Sequence, residues 1–329
     1  MTPTVWTRPA GALLGLHAQT ALHPGAGTAL GAVDLPVQRE RHTHYPTIAG
    51  SALKGILRDA CRNALVHNGQ LNSEELIREA DRDLKPRERA DRSLTLATLF
   101  GPPTSDSSEF GGALSVTDAR ILAFPVRSLR GVFAWVTCSQ VLERLQRDAE
   151  LAGLTGLPPV ASIRAEPNRA RIVDGCPCLI DTRLVLEEFE FERDSKLLEP
   201  SLAEWIIRHL LPDTSGYKGT RERFKKHLVV LSDDDFGHFV RHATEVSARV
   251  GLNYETKTVK EGALFYQEFL PTETLFYAVV LMNASRSRRD ATPSELLQQL
   301  GKLLPPIVQV GGDETTGKGY CAVRLGGGQ

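Results

Sequence analysis

Cysteine is too scarce and too scattered here to build a disulfide framework. Cys61, Cys138, Cys176, Cys178 and Cys321 are an odd set of five in 329 residues, and Cys61 falls in an apolar helical register. Cys176 and Cys178 form a CxC pair that could supply half a metal site, but no CxxC or His pair at zinc spacing answers it. Long apolar runs are also missing: no stretch reaches about 18 residues, and the opening MTPTVWTRPAGALLGLHAQ has neither the basic head nor the long apolar core of a signal peptide. A cytoplasmic protein with no membrane partner is the expectation. Net charge is lacking too, 39 basic residues standing against 40 acidic ones for a formal value of -1. Indiscriminate polyanion binding is therefore excluded, and any nucleic-acid site must be a local patch.

What is present suffices for a full core, since 41% of residues are hydrophobic and 24% charged, within reach of one large domain or two small ones. The most informative stretch is His23 to Arg62, HPGAGTALGAVDLPVQRERHTHYPTIAGSALKGILRDACR. From Ser51 onward, Leu53, Ile56, Leu57, Ala60, Cys61, Ala64 and Leu65 recur at helical spacing. Lys54, Arg58 and Arg62 line a second face, and Gly50 and Ser51 stand at the N-terminal end, where free N–H groups favour anions. Either a phosphate-binding surface or a solvated basic stripe fits that pattern. Before the helix, Pro24, Gly25, Gly27, Gly31, Pro36 and Pro46 mark a long loop with little that could build a core, in which Arg39, Arg41, His42 and His44 offer donors to phosphate. Asp34 is the one carboxylate before Glu40 in that loop. It would repel a polyanion unless it binds a metal ion or handles a proton; a turn-forming role is the plain alternative.

In chain order, 12–21 reads as a first strand that delivers the chain into this loop, with His17 an ordinary half-buried residue and His23 at the loop mouth. Residues 72–92 alternate in charge and read as a solvated helix, and GPPTSDSSEFGG at 101–112 as a mobile loop. Strands follow at 113–122 and 132–138, then a helix from Ser139 to about Gly153, with further strands within 164–191 and a helix at 202–211. Residues 217–227, YKGTRERFKKH, interleave Lys218 and other bases with Tyr217 and Phe224, as suits single-stranded RNA, or else an exposed linker. Residues 233–250 read as a helix, 252–264 as a strand-turn-strand unit, 275–282 as a strong strand and 294–304 as a last helix. The pattern fits an α+β sheet with helices on one face. The closing glycines Gly311, Gly312, Gly317 and Gly319, with Thr315, Thr316 and Lys318, match no P-loop register. Their unobstructed N–H groups and one Lys could cradle an RNA phosphate, or simply turn between two strands.

The pattern GxGTxxGxVDxPxQRERHTxxPxIxGxxLKGxLR at Gly25 to Arg58 resembles the N-terminal signature of the backbone RAMP subunit of type III-B (Cmr) CRISPR-Cas effector complexes. GALSVTDARILAFPVRSLRG at 112–131, TKTVKEGALFYQEFLP at 256–271 and VGGDETTGKG at 310–319 agree with it in order, whereas about 140–227 carries no matching motif. The resemblance implies a modified ferredoxin-like (RRM-like) palm in a single domain 1–329, with insertions near 70–112 and 140–227 and an inserted β-hairpin thumb, for which 252–264 is the candidate. It implies binding of crRNA and target single-stranded RNA, assembly with other copies of the chain and other Cmr subunits, and endoribonuclease cleavage of target at regular intervals. It places the cleaving aspartate at Asp34, which would hold Mg or Mn, with His23 and Glu261 as further catalytic candidates. RNA contacts are expected from Arg39, Arg41, Ser51, Lys54, Arg58, Arg62, Lys218, Lys257, Lys260, Gly311, Gly312, Thr316 and Lys318. The competing reading is a non-catalytic scaffold that binds guide RNA while another subunit cuts.

Overall fold

In the first strand, Ala10–Ala18, successive apolar residues Ala12, Leu13, Leu14 and Leu16 are all at most 1% exposed. Neighbouring side chains leave a strand on opposite faces, so such a run needs cover on both sides. One cover is the helix Pro293–Leu303, whose Gly301 lies against Leu325, the residue paired with Leu14. The long helix Gly50–His67 packs beside it. The other cover is formed by the helices Ser139–Leu151 and Pro200–Leu210. There a Cβ on Gly15 would lie 2.1 Å from the Leu210 carbonyl oxygen, and one on Gly326 would lie 2.0 Å from that of His209. Only glycine admits a helix end so close to the strands. The expectation of helices on one face is thus corrected: a two-sided apolar strand draws a helical layer to each side.

This computed structural model describes residues 9–28, 33–287 and 289–327; Gly31 of the loop motif lies outside them. Tyr320–Gly326, Ala10–Ala18, Leu275–Met282 and Ala119–Arg127 lie side by side in that order, each antiparallel to the next. Phe133–Cys138 extends them, and Leu228–Leu231, parallel to it, carries the sheet on to Arg169–Ile172 and the short strands between 179 and 193. The 164–191 strands therefore continue the main sheet, which has 13 strands among the described residues and is mainly antiparallel.

Three segments differ from their sequence reading. Residues 72–92 form short turns and the helix Pro86–Asp91 rather than one solvated helix, because their charges are used in pairing: Arg92 reaches Asp106 at 2.6 Å and Arg78 reaches it at 2.7 Å. The same Asp106, 3% exposed, orders the 101–112 loop around a turn at Thr104–Asp106. The helix expected over 233–250 ends at His242, and Glu245–Leu252 is a strand. Its alternation of Val246, Ala248 and Val250 is a period of two, which prevails over the preceding helical period. That strand pairs with Val259–Phe269 in a hairpin separate from the main sheet, so the unit expected at 252–264 is the outer part of a longer one.

Candidate nucleic-acid interface

The loop that follows the first strand is pinned to the inner end of the hairpin. Leu22 exchanges backbone hydrogen bonds with Leu270, and Leu35 lies beside Gln267, accepting from the Glu268 N–H at 3.0 Å and donating to the Tyr266 carbonyl at 3.0 Å. Asp34 stands immediately before that contact. Its side chain is exposed, and its Oδ2 accepts the Tyr266 N–H at 2.7 Å. One carboxylate oxygen is thereby fixed, which orients the other outward beside the hairpin. Glu268 is buried, accepting from the Val37 N–H at 2.9 Å and from Arg39 at 2.5 Å. Arg39 also donates to the carbonyls of His44 and Val240. It therefore anchors the loop. Arg41 is exposed and pairs with no described residue.

His23 is 7% exposed, and its Nδ1 lies 2.7 Å from the Glu268 carbonyl oxygen. A carbonyl only accepts, so Nδ1 carries the proton and Nε2 is left as the acceptor of the neutral ring. Gly25 keeps that nitrogen open, since a Cβ there would sit 3.0 Å from it. Gly311 and Gly312 meet the same residue from the C-terminal end: Gly312 donates to the His23 carbonyl at 3.0 Å, and a Cβ on Gly311, at φ 82°, would overlap that oxygen at 2.2 Å. The first and last motifs of the chain thus converge on His23.

Phe269 forms the floor of this place. The Lys318 ammonium lies 5.4 Å from its ring centre, the Arg249 guanidinium carbon 5.5 Å, and the His23 ring 5.5 Å. Asp313 holds Arg249 at 3.3 Å and accepts from Gln267 at 2.6 Å. The glycine loop itself offers few free donors, because the N–H groups of Gly312, Thr316, Gly317, Lys318 and Gly319 all bond to backbone carbonyls, and the Thr316 hydroxyl bonds to Asp313. Its resource for an anion is the Lys318 side chain.

The basic stripe of the long helix lies elsewhere. Lys54 donates to the Leu114 carbonyl at 2.9 Å, and burial, aided by Arg58, lowers its pKa. Arg58 pairs with Asp91 at 3.3 Å and donates to the Gly101 carbonyl at 2.8 Å; Arg62 pairs with Asp91 at 3.0 Å and with Asp59. At the helix start the Gly50 N–H is taken by Asp118 at 2.7 Å, while Ser51 is exposed. Lys218 is exposed on the helix Lys218–His227, whose Phe224 is buried. Lys257, Lys260 and Glu261 sit at the far end of the hairpin, Lys257 4.2 Å over the Tyr254 ring. Glu261 is five residues along its strand from Tyr266, roughly 16 Å at strand rise. Within one chain it does not meet Asp34.

All five cysteines are buried and free, and Cys178 Sγ lies 3.5 Å from His227 Nδ1. Among the described residues, no group of three or more His, Cys, Asp or Glu side chains could hold a metal ion. No helix among them is long and apolar enough to cross a membrane.

Sequence reasoning missed Arg249, Phe269, Asp313 and the Tyr266 amide. The alternating run LFYQEF carried the signal for the hairpin base, since its odd and even positions separate onto two faces.

The model of the RAMP superfamily matches residues 16–322. The chain is 35% identical over 319 residues to the CRISPR system Cmr endoribonuclease Cmr4 of Pyrococcus furiosus, covering 95% of each chain. It is 24% identical over 318 residues to the CRISPR system CMR subunit Cmr4 of Saccharolobus solfataricus, covering 94% of each. The crystal structure of oligomeric Cmr4 from Pyrococcus furiosus superposes with a TM-score of 0.67 at 28% identity, covering 98% of this chain and 99% of that one. A chain of the type III-B Cmr-beta complex bound to cognate target RNA has a TM-score of 0.68 at 20% identity over 97% and 98% of the two chains, a likeness of fold.

Proposed function

The chain belongs to the RAMP superfamily, and from that premise we propose that it is a backbone subunit of a type III-B CRISPR effector complex. It threads crRNA along a file of its own copies, beside other Cmr subunits in the cytoplasm, and cuts the paired target strand once per copy. The relatives' names and the oligomeric structure support this. The antiparallel strand order, with Gly50–His67 and Pro293–Leu303 packed together, supports a modified ferredoxin-like palm in one domain, interrupted near 70–112 and 140–227.

The hairpin Glu245–Phe269 is the proposed thumb. Val246, Val250, Leu264 and Tyr266 share one of its faces and are 41–53% exposed, and a two-stranded hairpin is marginal alone. A neighbouring copy covers that face, while the tip, with Tyr254, Lys257 and Lys260, meets the guide–target pairing. There it splays the target backbone beside Asp34 of the next copy, an arrangement that would bring Glu261 toward that Asp34.

Cleavage uses the nucleophile that RNA carries. With the 2′-oxygen in line with phosphorus and the 5′-oxygen, the P–O2′ bond forms and the P–O5′ bond breaks, leaving a 2′,3′-cyclic phosphate and a 5′-hydroxyl. The 2′-hydroxyl proton goes to Asp34 through the oxygen that Tyr266 does not occupy, the departing 5′-oxygen takes its proton from water, and His23 Nε2 is a second proton-accepting atom on the same segment. Asp34 is also the residue that would hold Mg or Mn, which would supply positive charge to the reacting phosphate; with that oxygen so used, His23 Nε2 is the atom left to accept the 2′-hydroxyl proton.

The observation that carries this reading is Asp34: exposed, anchored by the Tyr266 amide, and set on the loop that His23 opens. Asp34→Ala in the reconstituted complex is expected to abolish target cleavage while assembly and target binding persist. Full cleavage by that complex would leave the scaffold reading.

A further inference from the structure

We propose that Arg249 and Lys318, gathered on the ring of Phe269, form an anion clamp that takes a backbone phosphate of the target strand adjacent to the one cut. The clamp rests on the reading of Asp34 as the cutting group and names residues that set where the strand lies against it.

The charge count comes first. Two basic side chains lie within 5.5 Å of one ring centre, and the ring can stabilise a cation but cannot neutralise either. Asp313 supplies one negative charge, to Arg249. No described carboxylate lies within ion-pair distance of Lys318, which is half-buried at the loop end. One positive charge is left over in a place walled by Phe269 and the His23 ring, where water screens it less than at an open surface. An anion balances it, and RNA phosphate is the anion that the proposed function brings there.

Position comes second. Arg249 stands opposite Phe265 across the hairpin, and Asp34 bonds the next amide on the outer edge of the same strand. The two therefore flank one strand at one register, their backbones about two strand spacings, roughly 10 Å, apart. Adjacent phosphates of a single strand can bridge that span. Asp313 and Phe269 fix the Arg249 fork in advance, so a phosphate held there loses little of the guanidinium's freedom and locates its neighbour relative to Asp34.

The test uses the assembled complex with guide RNA and a matched target. Arg249→Ala and Lys318→Ala are each expected to slow cleavage at saturating target by about tenfold and to spread the cut over neighbouring linkages, as a mispositioned reacting group does. Arg249→Lys keeps the charge without the fork and should restore binding more than cut position. In the non-cutting Asp34→Ala complex, each alanine variant should flatten the dependence of target affinity on salt by about one phosphate contact, a readout that does not depend on what Asp34 does. Unchanged rate, cut position and salt slope in both alanine variants would overturn the clamp. So would a salt slope lost from guide loading rather than from target binding. Lys318 lies on a loop and Arg249→Lys is conservative, so one variant of the pair remains readable if Arg249→Ala does not assemble.

Discussion

The long helix Gly50–His67 and the base of the hairpin carry similar charge and use it in opposite ways. On the helix, Lys54, Arg58 and Arg62 are drawn inward onto Leu114, Gly101, Asp59 and Asp91, and the helix start is occupied by Asp118. At the hairpin base, Arg249 and Lys318 share a ring, a single carboxylate answers Arg249 and none among the described residues answers Lys318, and an exposed Asp34 lies on the neighbouring strand edge. A basic cluster is suited to contact nucleic acid when the fold leaves part of its charge unanswered. Pairing, not the presence of Lys or Arg, separates the two regions.

The sharpest way to break that contrast is Asp34→Asn. An amide oxygen still accepts from Tyr266, so folding stability should stay within experimental error, while cleavage by the assembled complex falls on the order of a hundredfold or more with the loss of the proton-accepting charge. Retained cleavage would move the chemistry out of the hairpin base altogether. Next in size is the hairpin tip. Replacing residues 253–258 with a two-residue turn should cost at least about tenfold in cleavage rate and blur the regular spacing of cuts. If a complex that still assembles cuts at the same intervals and rate, this hairpin is not the thumb.

Much of this contrast was legible in the sequence at one end and little at the other. His23, Asp34, Gly311 and Gly312 were readable because a glycine or a carboxylate in a loop without core-forming residues needs a reason of its own, and the fold brings them to one strand. Arg249 was hidden because 245–252 follows a helix without a break in charge pattern, so its strand period merged into the helical one. The fate of the helix stripe was hidden for another reason. Asp91 and Gly101 answer it from segments that read as solvated or mobile, Leu114 and Asp118 from one that reads as a strand, and spacing along one helix carries no information about partners so distant in the chain.

On the helix side the expected effects are on stability. Arg58→Ala leaves Asp91 with Arg62 alone and the Gly101 carbonyl without its donor, in a setting where Arg58 is 20% exposed and Asp91 24%. A loss of about 2 kcal/mol is expected for charged hydrogen bonds so placed, read as a lower denaturant midpoint at unchanged slope. The salt dependence of guide binding should not move. A flatter salt slope with unchanged stability would turn this arginine back into an RNA contact and erase the difference between the two regions.

The smallest effect belongs to Lys54, and its sign is informative. Burial, and then the neighbouring Arg58, hold its pKa below the ordinary lysine value of 10.5, so folding disfavours its charged form. Between the folded value and 10.5 the unfolded chain binds more protons than the folded one, and stability attributable to this residue rises with pH across that window. Lys54→Met keeps the aliphatic stem and removes the titration, while giving up the bond to the Leu114 carbonyl. The variant should differ from the parent by less than about 1 kcal/mol at neutral pH, lack the parent's gain in denaturant midpoint as pH approaches 10.5, and bind guide RNA with the same salt slope. A parent whose stability shows no such rise relative to Lys54→Met would mean that the amine is hydrated and available, as an RNA-facing lysine would be.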